Sequence, residues 1–387
     1  MKYFLIAGEA SGDLHASQLI HALKEIDMEA EFRFLGGDMM AKEAGCAPVV
    51  HYRNMAYMGI VEVIKHLRSI MGIMNTSRGA LRSFSADALI LIDYPSFNLK
   101  MAKYAKSLGI PVFYYISPKV WAWKEYRVKQ IKQLVDRMFC ILPFEVEFYR
   151  RHHYDVTYCG NPSVQEIDEA LKTIPSRTEF CARHGFDNAG KQIVALLPGS
   201  RLKEISDNLP IMLSAIKRFP SLVPVIAGAP SVDTAVYEQA LSGSGLELPY
   251  IVTGDTFALV RNARVALVTS GTATLETALL GTAQVACYRM GGSRFVYWLY
   301  EHFLKVKYVT LPNLIAGREV IPELLLHHCC EEEISSHISS LLQNDSEAYV
   351  SMQEGYQSVR SRLGSSPCAQ TAAQGIAEYL LSKSKQA

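Results

Sequence analysis

Tyr3-Phe4-Leu5-Ile6-Ala7-Gly8-Glu9-Ala10-Ser11-Gly12-Asp13 is the stretch on which the fold turns. The apolar run before Gly8 is too short for a helix and has no polar alternation, so it reads as a strand buried on both faces. Gly8 stops the run, and a segment of helical period opens behind it. Small residues in that turn let a ligand approach the backbone, and the free N–H groups of a helix start attract anions. Strand, small-residue turn and helix form the repeating unit of a doubly wound parallel sheet, which receives ligands at its carboxyl edge. Ser11 or Asp13 as a helix cap is the plainer reading of the turn; the carboxylate of Glu9 favours function.

The same unit recurs outward from there. Further strands are expected at Glu31 to Leu35, Ala88 to Asp93, Val112 to Ile116, Met138 to Leu142 and Val156 to Cys159. A second series follows at Ile193 to Leu197, Leu222 to Ala227, Tyr250 to Thr253, Val265 to Thr269 and Gln284 to Tyr288. The expected fold is α/β, with two doubly wound Rossmann-like domains facing a cleft: residues 1–165, residues 190–330, and helices over 331–387 that pack across the domains or exchange between protomers. The boundary falls between about Asn161 and Lys191, and the active site is expected in the cleft.

Composition agrees with that size. The 387 residues suit about two domains at roughly 100–200 residues each. Lys and Arg total 39 against 38 Asp and Glu, a formal net charge of +1, which gives no sign of a nucleic-acid partner. The eight cysteines are scattered, with neither C-x-x-C nor zinc-type His spacing, and point to a reduced, cytosolic setting. The opening apolar run ends before signal-peptide length. No stretch approaches the roughly 20 apolar residues that span a bilayer, so the chain reads as non-transmembrane.

Several turns could carry chemistry. Leu91-Ile92-Asp93-Tyr94-Pro95-Ser96 places a carboxylate at the end of a very apolar strand, where desolvation raises its pKa and suits it to general-base work; a helix N-cap is the alternative. Trp121 and Trp123 follow the next strand, at an edge suited to sugar rings or acyl chains, or to core packing. Leu197-Pro198-Gly199-Ser200-Arg201 ends a strand with an arginine whose planar fork matches phosphate, unless it is a plain surface residue. Ser270-Gly271-Thr272-Ala273-Thr274-Leu275-Glu276 offers bare N–H groups to a diphosphate, with Glu276 one turn on for a ribose diol or for the helix dipole. Leu311 to Arg318, with Asn313, is another edge or an ordinary turn. Met58 to Met74 is a helical segment too apolar for a single buried stripe and edged with Lys65, Arg68, Arg78 and Arg82. It suits an anionic bilayer surface or a long core helix.

Other patterns are absent or weak. No G-x-G-x-x-G occurs, which removes the dinucleotide fingerprint, and Gly185 to Gln192 is a chance near-match to a P-loop. No D-x-D occurs, so the carboxylate pair that holds a divalent ion on a nucleotide diphosphate is missing. His327-His328-Cys329-Cys330 could bind metal by composition, but adjacent helical residues point apart.

Taken in order, these segments closely resemble the lipid-A-disaccharide synthase family, inverting glycosyltransferases of the two-Rossmann (GT-B) architecture in Gram-negative outer-membrane biogenesis. The motifs are Gly8-Glu9-Ala10-Ser11-Gly12-Asp13, Met58-Gly59-Ile60-Val61-Glu62-Val63, Tyr115-Ile116-Ser117-Pro118-Lys119-Val120-Trp121-Ala122-Trp123, Leu142-Pro143-Phe144-Glu145, Leu197-Pro198-Gly199-Ser200-Arg201 and Ser270 to Glu276. The resemblance implies transfer of 2,3-diacylglucosamine from UDP-2,3-diacylglucosamine to 2,3-diacylglucosamine 1-phosphate (lipid X), forming a β-1,6-linked disaccharide 1-phosphate and UDP. It implies Asp93 as base, with Glu9 and Asp13 as further catalytic carboxylates in the first-strand turn, which with Ser11 lines the acceptor side. Ser200, Arg201, Ser270, Gly271 and Thr272 match the UDP diphosphate site, Glu276 the ribose contact, and Asn313 a position near the nucleotide. Met58, Ile60, Val61, Ile64 and Trp121 match the acyl- or membrane-facing region. No cofactor, metal or nucleic acid is implied; the enzyme is expected at the cytoplasmic face of the inner membrane, and a homodimer is compatible. Two positions depart from the pattern: Ser96, where members often carry Asp, and Asn161, where they carry His. The alternatives are a UDP-sugar 2-epimerase or another GT-B glycolipid transferase, and, outside enzymes, a membrane-surface binding protein.

Overall fold

The computed structural model describes residues 1–55, 67–123, 125–185, 190–230, 232–269, 271–289 and 307–384. The chain divides into two units, Met1–Pro162 with Ser365–Ala387, and Ser163–Gly364.

The first unit holds a wholly parallel seven-stranded sheet of β1 (Lys2–Ala7), β2 (Glu31–Gly36), β3 (Val50–His51), β4 (Ala88–Ile92), β5 (Val112–Tyr115), β6 (Arg137–Cys140) and β7 (Thr157–Tyr158). Their spatial order is β3-β2-β1-β4-β5-β6-β7. Side chains alternate between the two faces of a strand, which explains why every residue of this sheet's centre is apolar. From β1, Tyr3, Leu5 and Ala7 face the helices Ala10–Ile26 and Cys368–Ser384, while Phe4 and Ile6 face the helices Leu67–Phe84, Pro95–Ser107 and Val128–Leu134. All five are fully buried.

The second unit repeats the plan with β8 (Gln192–Leu197), β9 (Leu222–Gly228), β10 (Tyr250–Thr253), β11 (Val265–Val268), β12 (Ala283–Tyr288) and β13 (Glu323–Leu325). They run parallel in the order β10-β9-β8-β11-β12-β13. Both orders reverse direction beside the first strand of the unit, between β1 and β4 and between β8 and β11. Such a switch point opens a crevice at the carboxyl ends of the two strands.

All eleven expected strands form, with ends moved by one or two residues. The edge strands β3 and β13 carry no sequence signal, because two or three residues cannot display a period. The tail is helical as expected, over Glu331–Leu341, Glu347–Leu363 and Cys368–Ser384, and the last of these packs on the helix Ala10–Ile26 of the first unit. None of the eight cysteines is in a disulfide. Among the described residues, no helix is long and apolar enough to cross a membrane.

Candidate functional site

In the first unit the switch point brings together the ends of β1 and β4, and with them Glu9, Ser11 and Asp93. Asp93 and Tyr94 both adopt positive φ, 41° and 46°. A left-handed non-glycine residue costs about 1–2 kcal/mol, so two in succession persist only where the surroundings impose them. Tyr94 caps the helix Pro95–Ser107, whose Pro95 is preset for the first turn. Its ring lies over Gly8, where an added Cβ would stand 2.4 Å from Tyr94 Cγ. The Tyr94 hydroxyl donates to the Met55 carbonyl at 3.0 Å.

The Asp93 carbonyl accepts from Asn98 Nδ2 at 2.7 Å and from the Tyr114 hydroxyl. Its carboxyl is half-buried, and burial raises its pKa; exposed Lys119 and the Tyr94 N–H pull it part of the way back. A carboxylate whose pKa is raised by burial, at a sheet's ligand edge, is a stronger base than an ordinary one and so suits proton abstraction. Ser96 is exposed and accepts from Arg127 Nη2 at 3.3 Å.

The other carboxylates differ in what remains available to a ligand. Glu9 is half-buried at the start of the helix Ala10–Ile26, and Ser11, two residues on in the same first turn, is exposed. Asp13 is 3% exposed, and its carboxylate accepts the backbone N–H groups of Gly37, Met39 and Met40 at 2.6, 3.1 and 3.2 Å. It thus caps the neighbouring helix Asp38–Ala44 from outside, as an N-cap side chain would.

A fourth carboxylate, Glu145, lies in the Leu142-Pro143-Phe144-Glu145 motif, whose sequence carries no sign of its role. It is 1% exposed, at the first turn of the helix Pro143–Arg151. It accepts from the Ser117 hydroxyl at 2.6 Å, Trp121 Nε1 at 3.1 Å and the Leu142 N–H at 3.1 Å. Burial outweighs these donors and pushes its pKa up to about 7. Trp121 is therefore tethered by its indole N–H, and its ring meets Phe144 edge-on at 5.0 Å.

In the second unit the switch point joins the ends of β8 and β11. Arg201 precedes the helix Leu202–Ile216, and its Nη1 lies 2.8 Å from Glu204 Oε1 in an exposed ion pair. Such pairs contribute about 0–1 kcal/mol, so an arriving phosphate can take the arginine over. The exposed Ser200 donates its N–H to the other Glu204 oxygen at 3.2 Å. Opposite, Gly271 has φ 152°, which glycine alone adopts freely, and it starts the helix Thr272–Leu279. Gly271 and Thr272 are exposed at this helix start, where N–H groups without intrahelical partners can serve an anion. Glu276 lies half-buried one turn in, and its pKa is pushed up to about 7, first by burial and then by Glu166.

Asn313 is fully buried and completely engaged. Its Nδ2 donates to the Ile321 carbonyl and to Glu323, and its Oδ1 accepts from the Val320 and Ile321 N–H groups. Glu323, on the unforeseen β13, also receives the Thr310 N–H and hydroxyl. The side chain of Asn313 shapes the loop and has nothing left to offer a ligand directly. Met58, Ile60, Val61, Ile64 and Ser270 lie outside the described residues. On the described continuation of the Met58 segment, Met74 is core and Met71 is exposed, so this part meets both readings of the helix. Asn161 is buried and donates to the Ile141 carbonyl at 2.9 Å.

Sequence reasoning had no signal for a cavity of about 400 Å³ at the carboxyl ends of β9 and β10, lined by Ile174, Pro230, Asp255 and Phe257. Asp255 there meets His184 Nε2 at 2.9 Å. Among the described residues, no three His, Cys, Asp or Glu side chains gather in a way that could hold a metal ion.

Two doubly wound parallel sheets give the two-Rossmann plan of the GT-B class, one with a raised carboxylate at its switch point and the other with an arginine and a helix start at its own. Comparison with known proteins agrees. The family described as Lipid-A-disaccharide synthetase matches residues 3–374. The chain is 40% identical to the lipid-A-disaccharide synthase of Nitrosococcus oceani over 368 residues, 93% of this chain and 92% of that one. It is 38% identical to that of Myxococcus xanthus over 383 residues, 98% and 97% of the two chains. The protein belongs to the lipid-A-disaccharide synthase family and is a glycosyltransferase that forms the lipid A disaccharide. Solved structures share the fold at low identity. UDP-GlcNAc 2-epimerase from Neisseria meningitidis bound to UDP-GlcNAc has a TM-score of 0.68 at 13% identity, covering 99% of this chain and 100% of that one. The glycotransferase of kitacinnamycin has a TM-score of 0.61 at 14% identity, covering 98% and 99%.

Proposed function

We propose that Asp93 is the general base that takes the 6-hydroxyl proton of 2,3-diacylglucosamine 1-phosphate as that oxygen attacks the anomeric carbon of UDP-2,3-diacylglucosamine. The new C–O bond forms as the bond to the diphosphate breaks, which inverts the anomeric centre, and the electron pair leaves on UDP. The N–H groups at Gly271 and Thr272 meet the charge that develops on the diphosphate, together with Arg201 after it leaves Glu204. Glu276, when ionised, accepts from the ribose hydroxyls. No divalent ion is required in this reading, in keeping with the absence of a D-x-D pair. Asp13 holds residues 37–40 in the first unit, and Asn313 holds residues 320–323 in the second. Glu9 and Ser11 line the acceptor side.

The observation that carries the reading is the placement of Asp93: a carboxyl raised by burial, presented at the switch point by a strained turn. The lipid substrates imply work at a bilayer surface, which we place at the cytoplasmic face of the inner membrane. The exposed Met71 and Arg82 on the helix Leu67–Phe84 support that placement.

The test is incubation of the protein and of Asp93→Asn with both lipids in detergent and EDTA, following UDP and disaccharide by mass spectrometry. Product from the wild type, with turnover lost and UDP binding retained in Asp93→Asn, is the expected result. Wild-type turnover in Asp93→Asn overturns the base assignment. Product only with added magnesium overturns metal independence.

A further inference from the structure

We propose that Tyr114 and Asn98 are positioning residues of the transfer reaction, gripping the Asp93 carbonyl so that the carboxylate is held out at the carboxyl edge of the first sheet. The proposal rests on the reading of Asp93 as the base. Left alone, consecutive left-handed residues relax, and relaxation swings the 93–94 peptide and the Cα–Cβ direction of Asp93 with it. Three constraints oppose this. Tyr114 approaches from β5, the neighbouring strand, and its hydroxyl donates to the Asp93 carbonyl. Asn98 approaches from the helix that follows, and its Nδ2 spans the Ile92 and Asp93 carbonyls at 3.2 and 2.7 Å. On the other side, the Tyr94 ring lies over Gly8.

A purely structural role explains neither side chain well. Tyr114 is fully buried on a sheet face whose other members include Phe4, Leu89, Leu91 and Met138. Phenylalanine would pack there equally, and it would spare the burial of a hydroxyl. The hydroxyl donates to the Asp93 carbonyl and is also hydrogen-bonded with the Asn98 side chain, so the two residues close on the turn together. Asn98 is likewise fully buried, and among the described residues its Oδ1 meets no hydrogen-bond donor. An unsatisfied amide oxygen is a cost that an apolar residue would avoid. Both of its donations to carbonyls go to the 92–93 backbone, so the residue's polar contribution is made at the turn that presents the base. Neither side chain is exposed, so both act through Asp93 and neither acts on substrate.

The test compares Tyr114→Phe, Asn98→Ser, Asp93→Asn and the double variant Asp93→Asn/Tyr114→Phe. Misplacing a reacting group by about an ångström costs up to roughly 100-fold. Tyr114→Phe is accordingly expected to lower kcat about 10- to 100-fold, with KM for the donor and UDP affinity unchanged. The acidic limb of its kcat–pH profile should move to lower pH, because a relaxed carboxylate is better solvated. In the Asp93→Asn background the same change should cost nothing further. Wild-type kcat in Tyr114→Phe, with Asp93→Asn inactive, overturns the proposal and leaves the base reading intact. Wild-type kcat in Asp93→Asn overturns the base reading itself. An equal loss from Tyr114→Phe in both backgrounds, with the pH profile unmoved, shows a merely structural role and also overturns the proposal. Should Tyr114→Phe fail to fold, Asn98→Ser is judged by the same readouts.

Discussion

Replacing Glu145 by Gln should flatten part of the protein's stability–pH curve. Glu145 is almost completely buried, and its pKa is pushed from 4.5 to about 7. The folded protein therefore holds this proton more tightly than the unfolded chain. The stability linked to it is complete below about pH 4.5 and is lost as the pH rises to about 7. At about 1.4 kcal/mol per pH unit, that rise corresponds to roughly 3 kcal/mol. For a unit of this size the loss corresponds to roughly 6–12 °C in Tm. Glutamine has no proton to lose. It can keep Ser117 and Trp121 on its oxygen, but its NH2 then faces the Leu142 N–H, which imposes a cost that does not vary with pH. The informative quantity is thus the slope of the curve and not its height. Calorimetry between pH 4.5 and 8 should show the wild-type midpoint falling more steeply than that of Glu145→Gln, by about the amount given. Parallel curves would refute the argument that burial overrides the three donors.

Asp13→Ala leaves the Gly37, Met39 and Met40 N–H groups without their carboxylate and should cost about 3 kcal/mol or more in the first unit; urea unfolding measures it, and UDP affinity in the second unit should not change. UDP binding should tighten as the pH rises from below to above about 7, because Glu276 ionises there and an ionised carboxylate accepts ribose hydrogen bonds more strongly. Titration calorimetry should find that dependence weaker in Glu276→Gln, which keeps only the part due to ionisation of the UDP terminal phosphate. Arg201→Ala should lower kcat as well as raise the donor KM, since charge grows on the diphosphate toward the transition state; steady-state kinetics with an unchanged kcat would remove Arg201 from that role.

Much of the architecture was legible in the sequence because its signals are local. An unbroken apolar run such as Ala88 to Ile92 reports a strand buried on both faces, and its terminal carboxylate marked Asp93 before any coordinates. The edge strands Val50–His51 and Glu323–Leu325 were silent, since a pairing of two or three residues depends on a neighbouring strand and not on its own pattern. Glu145 could be quoted but not interpreted, because two of its donors, Ser117 and Trp121, come from the loop after a different strand.

The sequence by itself determined the α/β class, the two series of strands and the turns that stand at their carboxyl ends, because the apolar period and the strand–turn–helix unit are written in consecutive residues. Only the tertiary structure decided which polar side chains remain available: Asp93 is raised and presented, Asp13 is occupied by residues 37–40, and Asn313 by residues 320–323. It also decided that Cys368–Ser384 returns to the first unit. Burial and hydrogen-bond partnership arise between segments far apart in the chain, so local pattern carries no record of them.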